Sequence, residues 1–384
     1  MKNSEFLCPV AGKCGGCKGV SKDYEKELTE KEKFVKEQLK GLGKVEKIAR
    51  MEDPYYYRCK VNSSFVYIKG KGMVCGPYEE STHRIVAVDR CLIEDRTAGD
   101  ILNTLRQLIF SFKIRAYDEK SGYGLLRHVL IRVGKNTGEV MVVLVLNSPI
   151  LPSKNNFVKA LVKKHPQIKS IVINVNDRFT SMVLGPKNIN IYGNGYITDK
   201  LCGLSFRISP SSFYQVNPVQ AEKIYKKAIE LATLSGKEEV IDAYCGTGTI
   251  GLYAAGFAGH VLGLELNKGA VKDAKANAVQ NNVKNIDFVC ADATEYMTGM
   301  SENGAKADVV ILDPPRTGST PEFIKATAKL SPDRIVYVSC APDTLARDIK
   351  VFEKCGYRMQ SAYPYDMFPF TSHVECVVLL SKHS

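Results

Sequence analysis

The stretch VIDAYCGTGTIGLYAAG, residues 240–256, decides the fold of this chain. It reads as a strand that runs into a Gly-rich turn and then a helix. Gly246 and Gly248 let the backbone adopt angles that other residues avoid and let it pass close to a ligand. A lone GxG can equally be a tight structural turn, so the surroundings must arbitrate. Downstream, VLGLEL, IDFVCAD, DVVILDPP and RIVYVSC read as strands. AEKIYKKAIELATL, AVKDAKANAVQN, PEFIKATAKL and TLARDIKVFEKCG read as helices before or between them. Such alternation with continuous apolar strands predicts a parallel, doubly wound sheet. Ligands and chemistry gather beyond the carboxyl ends of such strands.

Upstream of residue 200 the pattern changes. SSFVYI, LLRHVLIRVG, GEVMVVLVLN and IKSIVINVN are Gly-punctuated β-like runs, and DYEKELTEKEKFVKEQLKGLG reads as one helix. The expected architecture is α/β, with a C-terminal doubly wound Rossmann-like domain preceded by a β-rich α+β domain. The boundary is placed between 1–200 and 201–384, with the helix over 24–41 a candidate to pack on the second domain.

Charge is divided the same way. The 384 residues carry a net charge of +12, and 34 of the 53 basic residues but only 21 of the 41 acidic ones fall in residues 1–200. The first domain is therefore the one to meet a polyanion, although a charged surface also serves solubility. No apolar run approaches the ~20 residues of a membrane span, and the N-terminus MKNSEFLCPV has no apolar signal core. A cytoplasmic protein is expected, in which 12 cysteines point to metal ligands or catalysts more than to disulfides.

Several reactive side chains fall at strand ends. Glu265 closes VLGLE about 20 residues after the Gly-rich turn, where an acid suits a ribose diol. Asp292 follows the next strand. The turn lacks the full G-x-G-x-x-G pattern and no phosphate-loop lysine follows. An adenosyl ligand without pyrophosphate, such as S-adenosylmethionine, therefore fits better than NAD or ATP. Asp313 ends ILD before two prolines that stiffen the loop. Cys340 ends VYVSC just before Pro342, where a thiol is either a small core group or a nucleophile. At the other end of the chain, Cys8, Cys14 and Cys17 are spaced C-x5-C-x2-C among glycines, a density that indicates metal. Spacing alone leaves zinc and iron–sulfur open.

CGTGTIGL, DPPRTG, VYVSC and HVEC, with SPSSFYQVNPVQA at 209–221, DMFPFTSHVE at 366–375, GLLRHVLIR and the N-terminal cysteines, together resemble the S-adenosylmethionine-dependent RNA uracil-C5 methyltransferases. The resemblance covers nearly the whole chain. It implies that Gln215, Tyr244, Glu265 and Asp313 contact the cofactor, with Gly246 and Asp292 lining the same pocket. It makes Cys340 the nucleophile and Glu375 the base. It favours a [4Fe-4S] cluster on Cys8, Cys14 and Cys17 with Cys91 as fourth ligand, Cys59 and Cys75 competing for that place. Phe370 stands where many relatives carry a polar residue. Many relatives also have a small β-barrel domain before the cysteines, which this chain is expected to lack. RNA affinity would then come from the basic domain, with Lys113, Arg115, Arg127 and Arg132 as candidate phosphate contacts. The implied substrate is a uridine in a single-stranded or loop region of 23S ribosomal RNA, acted on by a monomer. A transfer-RNA uracil-C5 methyltransferase and a non-catalytic RNA-binding protein are the alternatives.

Overall fold

The computed structural model describes residues 8–17, 20, 23–82 and 84–383. The chain opens with helix α1 (Tyr24–Gln38) and the short strand β1 (Lys44–Val45). Then follow β2 (Lys60–Ile68), β3 (Gly72–Gly76), α2 (Arg96–Ser111), β4 (Leu126–Val133), β5 (Val140–Leu146), α3 (Lys154–Lys164), β6 (Ile168–Val175) and β7 (Lys187–Gly193). After β8 (Ile197–Leu201) and β9 (Leu204–Ile208) come α4 (Pro218–Ala232), β10 (Glu239–Ala243), α5 (Thr249–Ala255), β11 (His260–Glu265) and α6 (Lys268–Gln280). The chain closes with β12 (Ile286–Cys290), α7 (Ala293–Glu302), β13 (Val309–Leu312), α8 (Pro321–Lys329), β14 (Arg334–Ser339), α9 (Pro342–Lys354), β15 (Tyr357–Tyr365) and β16 (Glu375–Lys382).

Two compact units result. The first holds the described residues up to 20 together with 54–200 and 207–211; the second holds 23–53, 201–206 and 212–384. In the first, a six-stranded sheet has the order β3-β2-β4-β5-β6-β7. Its pairs are antiparallel except β5–β6, which is parallel and is bridged by the crossover helix α3. Every residue of β4 and β5 is buried, the mark of strands covered on both faces. Apolar residues of α2 and α3, among them Ile101, Leu105, Phe157 and Leu161, share one core with Val129, Ile131, Val142 and Leu144.

In the second unit the sheet order is β1-β15-β16-β14-β13-β10-β11-β12. β10 to β14 are mutually parallel, and β16 runs antiparallel between β14 and β15. The strand order reverses between β10 and β13, which is the switch point where doubly wound sheets bind ligands. Local chemistry starts the helices. Pro218, Pro321 and Pro342 occupy first-turn positions, where the missing N–H costs nothing. The side chains of Asn217, Asn267, Asp292 and Thr320 accept first-turn amides.

Helix α1 is tied to the loop before β16 by a buried ionic network. Lys31 Nζ lies 2.6 Å from Asp366 Oδ1 and from Glu27 Oε1, and donates to the Phe368 carbonyl at 3.1 Å. Tyr24 donates its hydroxyl to Asp366 Oδ2 at 2.6 Å, and the Phe370 amide donates to Glu27 at 2.7 Å. Phe370 is 2% exposed, has a left-handed φ of +66°, and packs on Tyr24 with ring centroids 5.7 Å apart. Removing one partner of such a network leaves charge buried without compensation. Lys31→Met should therefore destabilise the second unit by about 3–5 kcal/mol, read as a fall in its urea midpoint.

Candidate active site

The turn after β10 is shaped by left-handed backbone. Tyr244, Gly246 and Gly248 have φ values of +63°, +56° and +80°. A side chain at Gly248 would also place its Cβ 2.7 Å from the Phe288 ring, so sterics and backbone both demand glycine there. A Cβ at Gly246 would meet nothing within 4 Å, which leaves open space over the turn. Glu265 ends β11 and accepts the Gly246 amide at 3.0 Å and the Asn267 amide at 2.7 Å. Its carboxylate is thereby fixed against the Gly-rich turn. Asp292 lies past β12 and caps α7, its Oδ1 accepting from Thr294 and Glu295 at 2.9 and 3.1 Å. Gln215 is buried and bonds the side chain of Tyr225, whose hydroxyl accepts from Thr249 Oγ1 at 3.2 Å. Tyr225 itself escapes sequence reasoning, because within the apolar stripe of α4 it reads as core.

The second cluster forms where β13, β14 and β16 meet. β14 and β16 pair with Ser339 opposite Cys376, so Cys340 and Glu375 are the next residues at the same end of that strand pair. Cys340 is half-buried in the two-residue link between β14 and α9. Glu375 is 4% exposed and its Oε2 has no hydrogen-bond partner. Burial holds the Glu375 carboxyl well above the usual carboxylate range, the nearby charge of Asp313 raises it further, and Arg316 opposes both. Desolvation also raises Asp313, which follows β13. The Cys340 thiol is pushed up by burial and by the carboxylates of Glu375 and Asp313, while Arg316 draws it down by charge and hydrogen bonding. Arg316 is thus the local cation of the cluster, with Nη2 3.3 Å from His373 Nε2. The sequence singles out the two prolines before it but not Arg316. Its loop is anchored by Asp348, whose Oδ2 accepts the Ser319 amide and the Tyr337 hydroxyl at 2.7 Å each.

In the first unit the N-terminal cysteine loop is pinned by a bridge between Cys14 and Glu79 and by the Gly15 amide on the Tyr78 carbonyl at 3.2 Å. The Gly16 amide donates to Cys14 Sγ at 3.3 Å, the kind of bond a metal-bound thiolate receives. The thiols sense one another. Burial raises Cys14, and Cys17 and Cys8 add to the rise; burial and Glu94 raise Cys91, with Cys17 contributing. Among the described residues, however, no three His, Cys, Asp or Glu side chains are gathered closely enough to hold a metal ion. Cys59 and Cys75 are 3% and 1% exposed in the sheet core. Two of the four expected phosphate contacts are also internal, which corrects that reading. Arg127 is buried and donates to the Asn176 and Arg178 carbonyls at 3.1 and 2.6 Å, and buried Arg132 donates to the Pro210 carbonyl at 3.1 Å. They hold the fold, and Lys113 and Arg115 stay exposed.

The chain is similar to known proteins over nearly its whole length. The model of the tRNA (uracil-5-)-methyltransferase family matches residues 23–383. An uncharacterized RNA methyltransferase of Caldanaerobacter subterraneus is 45% identical over 98% of this chain and 84% of its own length. One from Halalkalibacterium halodurans is 42% identical over 98% and 83%. Among solved structures, the Pyrococcus abyssi tRNA (uracil-54, C5)-methyltransferase in complex with S-adenosyl-L-homocysteine superposes with a TM-score of 0.80 at 30% identity. That match covers 96% of this chain and 86% of the other. On a match this extensive, the chain belongs to the S-adenosylmethionine-dependent RNA uracil-C5 methyltransferase family.

Proposed function

We propose that this protein methylates carbon 5 of a uridine in 23S ribosomal RNA, with Cys340 as nucleophile and Glu375 as base. The observation that carries the reading is the convergence of a half-buried thiol, a buried carboxylate with an unpartnered oxygen, and Arg316 at one strand end. The open turn at Gly246, flanked by Glu265, Tyr244 and Gln215, fits an adenosyl ligand. Bound there, S-adenosylmethionine would supply an electrophilic methyl group.

The residues have distinct tasks. The Cys340 thiolate adds to carbon 6 of uracil, which breaks the 5,6 double bond and makes carbon 5 nucleophilic enough to take the methyl group. Arg316 offsets the two carboxylates and favours the thiolate before attack. Glu375 then removes the carbon 5 proton, the double bond reforms and the thiolate leaves. The carboxyl is a base only when ionised, and its raised pKa lets it bind that proton well. The target base must leave its stack to reach these groups, which favours single-stranded or loop RNA.

A transfer-RNA target is the second reading, favoured by the likeness to the Pyrococcus enzyme. Mapping 5-methyluridine in both RNA classes from cells with and without the gene separates the two. On the N-terminal cysteines we propose a [4Fe-4S] cluster with Cys8, Cys14, Cys17 and Cys91 as ligands. Its support is their spacing, the amide on Cys14, and the charge influence of Cys17 on Cys91 and of Cys17 and Cys8 on Cys14. Cys59 and Cys75 are instead buried in the sheet core of the first unit. In this reading the cluster staples the basic unit.

Cys340→Ala should abolish methyl transfer, whereas Glu375→Gln should accumulate methylated RNA attached to the protein, visible as a retarded band on a denaturing gel. RNA containing 5-fluorouridine should trap the unmutated enzyme in the same way, and normal turnover by Cys340→Ala would refute the nucleophile. In pH profiles, kcat/KM should rise as Glu375 ionises above the ordinary carboxyl range. Because folding raises this pKa, the protonated form's stabilisation is complete below the ordinary range and is lost as pH rises through the shifted one. Glu375→Gln should therefore gain urea resistance relative to the unmutated protein near roughly pH 9 and not near roughly pH 5. Anaerobically purified protein should be brown and carry about four irons; a colourless protein with one zinc would refute the cluster.

A further inference from the structure

Outside the proposed active site, the first unit contains a groove of about 870 Å³. All its lining residues fall between Ser64 and His128, on β2, β3, the segment after β3, the end of α2, the loop 113–120 and the start of β4. Phe65, Val66, Met73, Ile85 and Ile114 supply apolar walls. At its edge stand Tyr67 and Phe110, 57% and 58% exposed, with rings only 5° from parallel and centroids 6.4 Å apart. Two large aromatics left this exposed on a folded unit form a stacking platform rather than core.

The rim is basic and rigid. Lys113, Arg115 and Lys120 are exposed on the loop after α2. That loop is held by the Ile114 amide on Ile109, the Leu125 amide on Arg115 and the Tyr117 amide on Leu126, at 2.9, 2.9 and 2.8 Å. The two acids of the loop are already engaged. Asp118 accepts the Lys120 amide and the Ser121 hydroxyl, and Glu119 faces Arg127 at 3.7 Å. Arg127 in turn lies 4.6 Å over the Tyr117 ring and locks it in the wall. Behind the platform, His128 pairs with Ser64 at 3.0 Å, and burial lowers its pKa to about 4. His128 is therefore neutral at pH 7, and the buried Arg127 guanidinium is taken up by the Asn176 and Arg178 carbonyls and the Tyr117 ring, which leaves the exposed cations at the rim.

A basic rim around an aromatic platform suits the phosphate and base of an unpaired nucleotide. We propose that this groove binds a second unpaired nucleotide of the RNA substrate, its base stacked on Tyr67 and Phe110 and its phosphate on Lys113 and Arg115. The proposal rests on an RNA substrate and deepens that reading, since the nucleotide is not the one that meets Cys340. Stacking tolerates any base, so the groove would contribute affinity and register rather than sequence readout.

The test uses the full-length protein and a short single-stranded oligouridylate carrying one 2-aminopurine. Binding should quench the 2-aminopurine, and the same strand in a duplex should bind more weakly. Tyr67→Ala with Phe110→Ala should weaken binding roughly five- to a hundredfold, while Tyr67→Phe, which keeps the ring, should not. Lys113→Gln and Arg115→Gln should each lower the salt slope by about one. None of these changes should move S-adenosylmethionine binding. A double alanine variant that binds the oligonucleotide as the unmutated protein does overturns the proposal, and is what a protein-docking groove would give. Adduct formation with 5-fluorouridine RNA keeps the two readings apart. Adducts with unchanged oligonucleotide affinity sink the groove alone. Lost affinity without any adduct, in variant and unmutated protein alike, leaves the groove standing and sinks the Cys340 chemistry.

Discussion

Antiparallel pairing of β14 with β16 puts Ser339 opposite Cys376, and the positions of Cys340 and Glu375 depend on that register. It is enforced from below by buried apolar pairs, Ile335 with Leu380, Tyr337 with Val378 and Val338 with Val377. A slip of one residue would turn each of these side chains to the opposite face. It would also move the carboxylate away from the thiol. The parallel pairing of β13 with β14 adds Asp313 to the same end of the sheet. Three strands that are distant in sequence thus deliver three ionisable groups to one place.

Their proximity creates an electrostatic conflict. Desolvation raises all three groups, and each carboxylate opposes ionisation of the thiol. For Glu375 in its proposed role of base the effect is useful, since a raised pKa strengthens proton affinity. For Cys340 as the proposed nucleophile it is a handicap, because only a thiolate would attack. Arg316 stands where it relieves both, on a loop stiffened by two prolines and anchored to Asp348. The segment just before Glu375 is held from the other side by α1. There Lys31 neutralises two carboxylates that would otherwise be buried without a counter-ion. The N-terminal helix therefore shapes a loop that follows it by more than 300 residues.

In the first unit, basic residues divide into two populations. Arg127 and Arg132 lie within the sheet and saturate backbone carbonyls, a use suited to the multiple donors of a guanidinium. Lys113, Arg115 and Lys120 keep their charge outside, next to unburied aromatic rings. Counting charge along the chain cannot separate these populations, since each position is equally basic. What distinguishes them is that β4 is covered on both faces.

Much of the second unit was legible in the sequence because its signals are local. Continuous apolar strands, Gly-rich turns and prolines at helix starts act over a few residues. They are why β10 to β14 and the helices α5, α6, α8 and α9 stand where the pattern predicted, whereas α7 was not singled out. The strand-end positions of Glu265, Asp313 and Cys340 follow from the same periodicity. In the first unit, β2, β4, β5 and β6 were visible as apolar runs, whereas α2 and α3 were not singled out and only the sheet they cover reveals their role. Tertiary structure alone decided that Lys31 faces Asp366, that Arg316 serves Cys340 and Glu375, and that Arg127 is internal while Arg115 is not. The physical reason is that charge acts through space and burial, and both depend on which strands become neighbours. A one-dimensional pattern records periodicity, but strand order and register determine which charges lose their water together.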